Sequence, residues 1–179
     1  MGKINDVSLI IGTANGSGSQ SANLILLRSI FRMGIPVGGK NLFPSNIAGL
    51  PTWFVIRANE KGYTSILPKM NIVVAVNQQT CDDDMAHLDT ESLFIYNSSL
   101  RFTKPLPANA LSVDFSKLAS QVTDSIKLKK LLTNIVYVGV LAEMLGIPDD
   151  ILQKTIADQF NNKKSVVDLN VAAALVGRE

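Results

Sequence analysis

Near its start, the chain runs from the apolar stretch Val7-Ser8-Leu9-Ile10-Ile11 directly into Gly12-Thr13-Ala14-Asn15-Gly16-Ser17-Gly18-Ser19-Gln20. The first segment reads as a buried strand, and the small residues after it tolerate positive φ and close backbone approach. From about Ser19 to Met33, Ala22, Leu24, Ile25, Leu27, Ile30 and Phe31 recur at helical spacing, with Ser, Asn and Arg on the other side. Strand, glycine turn and helix form the first half of a βαβ unit. They predict an α/β fold with an open, mainly parallel sheet and helices on its faces, Rossmann-like and three-layered.

Further along, Trp53–Arg57, Ile72–Val76 and Leu93–Tyr96 are β-rich runs bounded by turn residues, and Leu111–Phe115 is a shorter one. About five strands suffice for one sheet. Between two of these, Asp82 to Asp89 reads as a short helix that completes a second βαβ step. The segment from Val37 to Pro51 holds two prolines and three glycines, which excludes a long regular element. The last third is helical: an apolar run over Leu128–Leu145, a stop at Gly146-Ile147-Pro148, a helix over Pro148–Phe160 and another over Ser165–Val176. Ile135, Val138, Leu141, Ala142 and Leu145 make a stripe that a core or a subunit interface, including one between copies of the chain, would use equally well. With Glu143 its only charge, Leu131–Leu145 is expected to be buried on more than one side.

With 179 residues and 46% hydrophobic content, the chain fits a single domain over residues 1–179. Its 17 basic and 15 acidic residues are scattered, so no polybasic tract points to nucleic acid or a membrane surface. The N-terminal apolar run is too short for a signal peptide or membrane span, and the expected location is cytoplasmic. One cysteine, Cys81, and one histidine, His87, cannot form an internal disulfide, a four-ligand zinc site or a cysteine-held iron–sulfur cluster. No cofactor is expected to be held by this chain alone.

Two segments are candidate sites. In the turn, Gly12, Asn15, Gly16, Ser17 and Gly18 follow neither the dinucleotide nor the Walker spacing. The nearest following strand, about Ile35 to Asn41, offers no acidic residue for a ribose, which argues against a nicotinamide cofactor. A helix starting near Ser19 would present free N–H groups to an anion; the other reading is a glycine turn that only packs strand on helix. The second segment, Lys40 to Pro51, carries Lys40, Asn41, Ser45 and Asn46, donors that either face a polar ligand or satisfy their own turn. Asp82, Asp83 and Asp84 are expected to cap a helix start rather than hold Mg²⁺. Cys81 is expected to be a small buried residue, since His87 lies six positions away and off its helical face.

The stretch Gly12-Thr-Ala-Asn-Gly-Ser-Gly-Ser19, followed by Arg32-Met-Gly-Ile-Pro-Val-Gly-Gly-Lys-Asn-Leu-Phe-Pro-Ser-Asn-Ile-Ala-Gly-Leu-Pro-Thr-Trp-Phe-Val-Ile-Arg57, resembles the gamma domain of 2-oxoacid:ferredoxin oxidoreductases. It is most similar to the gamma half fused ahead of the alpha domain in 2-oxoglutarate-type enzymes, which implies a fragment of a longer subunit. The resemblance implies partner alpha and beta domains that carry thiamine diphosphate, Mg²⁺ and [4Fe-4S] clusters. It also implies coenzyme A as co-substrate and ferredoxin as acceptor. The piece alone is expected to be inactive, with Lys40, Ser45, Asn46 and Gly49 near the substrate or coenzyme A. The turn is richer in Ser and Asn than the Gly-Gly-Gln-Gly form of separate gamma subunits. The alternative is a free-standing protein that binds a phosphorylated ligand such as coenzyme A.

Overall fold

The computed structural model describes residues 6–44 and 47–179. Ser45 and Asn46 of the second candidate segment lie outside the described residues. By its internal contacts the chain forms two compact units, a sheet unit of residues 6–17 and 36–114 and a helical unit of residues 18–35 and 115–179.

The sheet unit holds six strands: β1 (Asp6–Ala14), β2 (Val37–Leu42), β3 (Pro51–Asn59), β4 (Ile72–Ala75), β5 (Leu93–Asn97) and β6 (Ala110–Val113). Their order is β2-β3-β1-β4-β5-β6. Pairings β1–β4, β4–β5 and β5–β6 are parallel, whereas β3 runs antiparallel to both β1 and β2. The open, mainly parallel α/β class is therefore as expected, with an antiparallel edge. Leu9, Ile11, Ile56 and Val74 on one side of the sheet, and Ile10, Val55, Val73 and Phe94 on the other, are all essentially inaccessible. Burial of both faces is the condition that makes parallel strands read as unbroken apolar runs.

The strand expected at about Ile35 to Asn41 forms as Val37–Leu42, which pairs residue for residue with Ala58–Trp53 as an edge strand. Its glycines are tolerated at an edge, and Pro36 and Pro44 fall just outside the ladder. That strand does not lie beside β1, which is flanked by β3 and β4, so the lack of an acidic residue near Ile35–Asn41 does not bear on a ribose at the end of β1. In addition, β1 extends past Ile11 to Ala14, which places Gly12 inside the strand opposite Trp53 rather than in the turn.

After β4 comes the one-turn helix α2 (Cys81–Asp84), continued by a 3₁₀ turn over Met85–His87. Cys81 packs in the core with Ile10, Val55, Met70, Val73, Ala75 and Phe94, and Trp53, Met85, Tyr96 and Phe102 pack around that group.

The helical unit comprises α1 (Ser19–Arg32), α3 (Phe115–Ser120), α4 (Ile126–Met144), α5 (Asp149–Gln159) and α6 (Lys164–Arg178). Phe115, assigned to a strand by its β-rich neighbours, instead begins α3 and meets Tyr137 edge to face at 6.4 Å between ring centres. Tyr137 is fully buried, and its hydroxyl donates to Asn23 Oδ1 at 2.8 Å, joining α4 to α1. Arg32 ties α1 to α5 through Thr155 and Asp158. The predicted stripe on α4 is buried, as are Val136 and Tyr137 off that stripe. No helix among the described residues is long and apolar enough to cross a membrane.

Candidate functional site

The two candidate segments, some thirty residues apart in sequence, meet in the sheet unit. The β1–β3 register ends with Ala14 opposite Pro51, so the exit of β1 and the entry to β3 share one end of the sheet. There the Asn15 backbone N–H donates to the Leu50 carbonyl at 2.8 Å, the Gly49 N–H donates to the Asn15 carbonyl at 2.8 Å, and Asn15 Nδ2 donates to the Ile47 carbonyl at 3.3 Å. Gly16 and Gly49 both have positive φ, 77° and 87°, the conformation for which a Cβ is most costly. A Cβ on Gly16 would lie 3.4 Å from that of Ala48. Asn15 is thus the clamp between turn and loop. Parallel β4 ends alongside: the Val76 N–H donates to the Gly12 carbonyl at 3.2 Å and Asn77 Nδ2 to the Thr13 carbonyl at 3.0 Å. This is the carboxyl end of the parallel strands, where open α/β sheets place their ligands.

The remaining candidates separate from this cluster. Lys40 lies within β2 opposite Val55, exposed. Gly18, with φ 85°, precedes α1 in the helical unit, where it lines an apolar cavity of about 440 Å³ with Leu128, Leu131, Leu132 and Phe160.

Beneath the cluster sits a carboxylate whose place was not foreseen. Asp84 is fully buried. Trp53 Nε1 donates to its Oδ1 at 2.6 Å, and Thr80 Oγ1 lies 2.9 Å from its Oδ2. Burial is the main cause that pushes its carboxyl up to about 7; the two hydrogen bonds oppose that rise and neighbouring Asp83 adds to it. None of the three aspartates expected to cap a helix start does so: the cap position is Thr80, all three stand in the first turn, and only Asp82 and Asp83 face outward. Asp82 accepts from the Thr103 hydroxyl at 2.7 Å and backbone N–H at 3.0 Å, which holds it below the usual carboxylate range. The signal was in the spacing: Asp84 stands three residues after buried Cys81, on the same helical face.

Gly12 has its reason here too. A Cβ on it would come within 2.4–2.7 Å of the Asp84 carboxyl, which Trp53 and Thr80 hold in place. We expect Gly12→Ala to lower unfolding free energy by about 2 kcal/mol, the usual cost of overpacking. The same change made in an Asp84→Ala background should cost clearly less, measurable by urea denaturation as a coupling between the two positions.

Cys81 behaves as a packed thiol. Burial pushes its pKa up, with Asp82 and Asp84 adding to the rise, and its Sγ lies 3.3 Å from the Gln78 carbonyl. Among the described residues, no three or more His, Cys, Asp or Glu side chains converge as a metal site. With a single thiol, the residues present do not fit an iron–sulfur cluster.

An open mixed sheet whose first parallel strand ends in a glycine turn, clamped to the loop before an antiparallel neighbour, defines the class of this chain. Residues 8–179 match the pyruvate ferredoxin/flavodoxin oxidoreductase family, and the chain belongs to it. Among characterised proteins it is 23% identical to the alpha subunit of a 2-oxoacid:ferredoxin oxidoreductase of Aeropyrum pernix, over 96% of this chain and 33% of that subunit. The chain thus spans about a third of that relative's length.

The fold is shared with a pyruvate oxidoreductase subunit of Thermotoga maritima (TM-score 0.77, 20% identity, 97% of this chain and 95% of the other). It is also shared with the gamma subunit of a keto/oxoacid ferredoxin oxidoreductase of Geobacter sulfurreducens (0.75, 18%, 97% and 94%). A third structure, the 2-oxoglutarate:ferredoxin oxidoreductase of Magnetococcus marinus with 2-oxoglutarate, coenzyme A and succinyl-CoA bound, matches over 98% of this chain and 31% of its own (0.79, 19%).

Proposed function

We propose that residues 1–179 form the gamma-type domain of a 2-oxoacid:ferredoxin oxidoreductase, an assembly that oxidatively decarboxylates 2-oxoglutarate to its acyl-coenzyme A and reduces ferredoxin. The observation that carries this reading is the family match across nearly the whole chain, joined to the clamping of the Asn15 turn against the loop at Gly49–Leu50. The lean to 2-oxoglutarate rests on relatives in which such a domain makes up about a third of a longer chain, one of them a 2-oxoglutarate enzyme. In this reading thiamine diphosphate, Mg²⁺ and the [4Fe-4S] clusters belong to alpha and beta partner domains. This domain shapes the region of substrate and coenzyme A with Lys40, Ser45, Asn46 and Gly49, by positioning and electrostatics rather than covalent chemistry. The chain alone has no turnover.

The test is co-production with the alpha and beta partners, followed by assay of ferredoxin reduction. The expected result is reduction that needs both 2-oxoglutarate and coenzyme A. Lys40→Ala should raise the KM for coenzyme A several-fold with assembly intact, as loss of a positioning charge would. Reduction with pyruvate alone would reject the substrate, and failure to assemble with such partners would reject the whole reading.

A further inference from the structure

The helical unit holds an apolar cavity with a basic rim. Leu128, Leu131, Leu132 and Ile135, spaced as one face of α4, line it together with Val166 and Leu169 of α6, and its volume is about 440 Å³. Leu132 and Ile135 are 2% and 3% exposed, whereas Leu128, Leu131 and Val166 are 36%, 42% and 36% exposed, so a buried floor leads to an accessible apolar rim. The polar lining is confined to Ser21, Ser165 and Asn170, and Asn170 Nδ2 already donates to the Val166 carbonyl at 2.8 Å. No acidic residue lines the space among the described residues. Its size falls within the range of about 300–1,000 Å³ in which proteins take small ligands, and its lining selects an apolar one.

The charges beside this rim are of one sign. In the first turn of α4, Lys127 and Lys129 flank Leu128 at roughly 100° to either side, and Lys163 is the cap residue of α6, just ahead of Ser165 and Val166. None of the three has a side-chain ion pair or hydrogen bond among the described residues. A cation at the start of a helix opposes the helix dipole, so helix stability does not account for these lysines. The acids of the neighbouring turns are mostly engaged: Asp158 pairs with Arg32 and Asp168 with Lys164, which leaves Asp124 ahead of the Ser125 cap. The rim therefore keeps a net positive charge.

We infer that this cavity binds a medium-chain aliphatic carboxylate, with its chain against the α4 and α6 walls and its head group among Lys127, Lys129 and Lys163. An uncharged hydrocarbon would leave the lysines unused, and a short anion would leave the apolar walls in water. At about 30 Å³ per water the space equals roughly fifteen waters, room for the dozen or so heavy atoms of a ten-carbon acid. The site lies wholly in the helical unit, so this goes beyond the oxidoreductase reading and does not depend on it.

The experiment is titration of the nitrogen-labelled 179-residue chain with monomeric sodium decanoate at constant ionic strength, followed by amide shifts. Saturable shifts are expected at Ser21, Leu131, Leu132, Val166 and Leu169. Octanoate, two methylenes shorter, should bind about tenfold more weakly. Decyltrimethylammonium, the same chain with the opposite charge, should bind about fivefold more weakly. Lys127→Glu combined with Lys163→Glu, both exposed, should erase that preference for the anion. Leu131→Glu, checked for folding by circular dichroism, should abolish saturation. No saturable shift, equal affinity for the two head groups, a preference unchanged in the double lysine variant, or attachment to phosphatidylglycerol vesicles without saturable decanoate binding would each overturn the proposal. None of these readouts involves turnover or assembly, so failure here leaves the oxidoreductase reading standing, and the reverse holds equally.

Discussion

Replacing Asp84 with asparagine is expected to make the protein more stable above neutral pH and to remove much of the dependence of its stability on pH. The native carboxyl titrates near 7, against about 3.9 for an unfolded aspartate. Between those values the native state holds a proton that the unfolded state has released. Unfolding free energy therefore falls as pH rises: the contribution is fully present below the unfolded value and is lost as pH climbs through the native one. Between pH 5 and pH 8 the loss amounts to about 2–3 kcal/mol.

The protonated group, which burial favours, can still use both hydrogen-bonding neighbours. Thr80 Oγ1 lies 2.9 Å from Asp84 Oδ2 and 3.2 Å from the Asn77 carbonyl, and its single proton can serve only one of them. A protonated Asp84 donates to Thr80, Thr80 donates to Asn77, and Oδ1 remains free to accept from the Trp53 indole. Asparagine reproduces every one of these bonds without an ionisable group. Urea denaturation at pH 5 and pH 8 should show Asp84→Asn gaining about 2–3 kcal/mol on the parent across that interval. Asp84→Ala, which strands the indole N–H, should be destabilised at both. A parent and an Asp84→Asn variant with parallel pH profiles would show that this carboxyl is ionised throughout.

Gly139→Ala should have a comparable or larger effect for a different reason. In α4 a Cβ on Gly139 would stand 2.0 Å from the Ala174 carbonyl oxygen of α6, and a Cβ on Gly177 would stand 2.2 Å from the Val136 oxygen. The obstruction is backbone on both sides, so no rotamer change relieves it and the helices must separate. Alanine gains about 1 kcal/mol in helix propensity over glycine, and the displaced packing outweighs it. A net loss of about 3 kcal/mol is expected, a fall in Tm of roughly 6–12 °C for a chain of this size. Gly177→Ala should act alike. The double variant should lose less than the sum, because the first methyl already parts the helices. An unchanged or raised Tm in Gly139→Ala would show that α4 and α6 do not pack this closely.

Local pattern carried much of the architecture. The apolar runs at Val7–Ile11, Ile72–Val76 and Leu93–Tyr96 became strands, and the 3.6-residue spacing of Ala22, Ile25 and Ile30 became a helix, because burial of a face writes its period into the chain. The edge strand Val37–Leu42 shows in the sequence only as an approximate strand near Ile35 to Asn41, for the converse reason. Its glycines pack little, and it is held by main-chain bonds to β3 that any residue could make.

The same division applies to the site. The sequence by itself determined that a glycine turn follows the first strand, that a donor-bearing segment runs from Lys40 to Pro51, and that the chain has too few thiols for an iron–sulfur cluster. The tertiary structure alone decided that Asn15 clamps the first segment to the second, that Asp84 among three aspartates is the buried one, and that Gly12 must lack a side chain to admit it. Pairing between distant segments depends on strand order and direction, and the antiparallel placement of β3 beside β1 leaves no periodic trace in either strand.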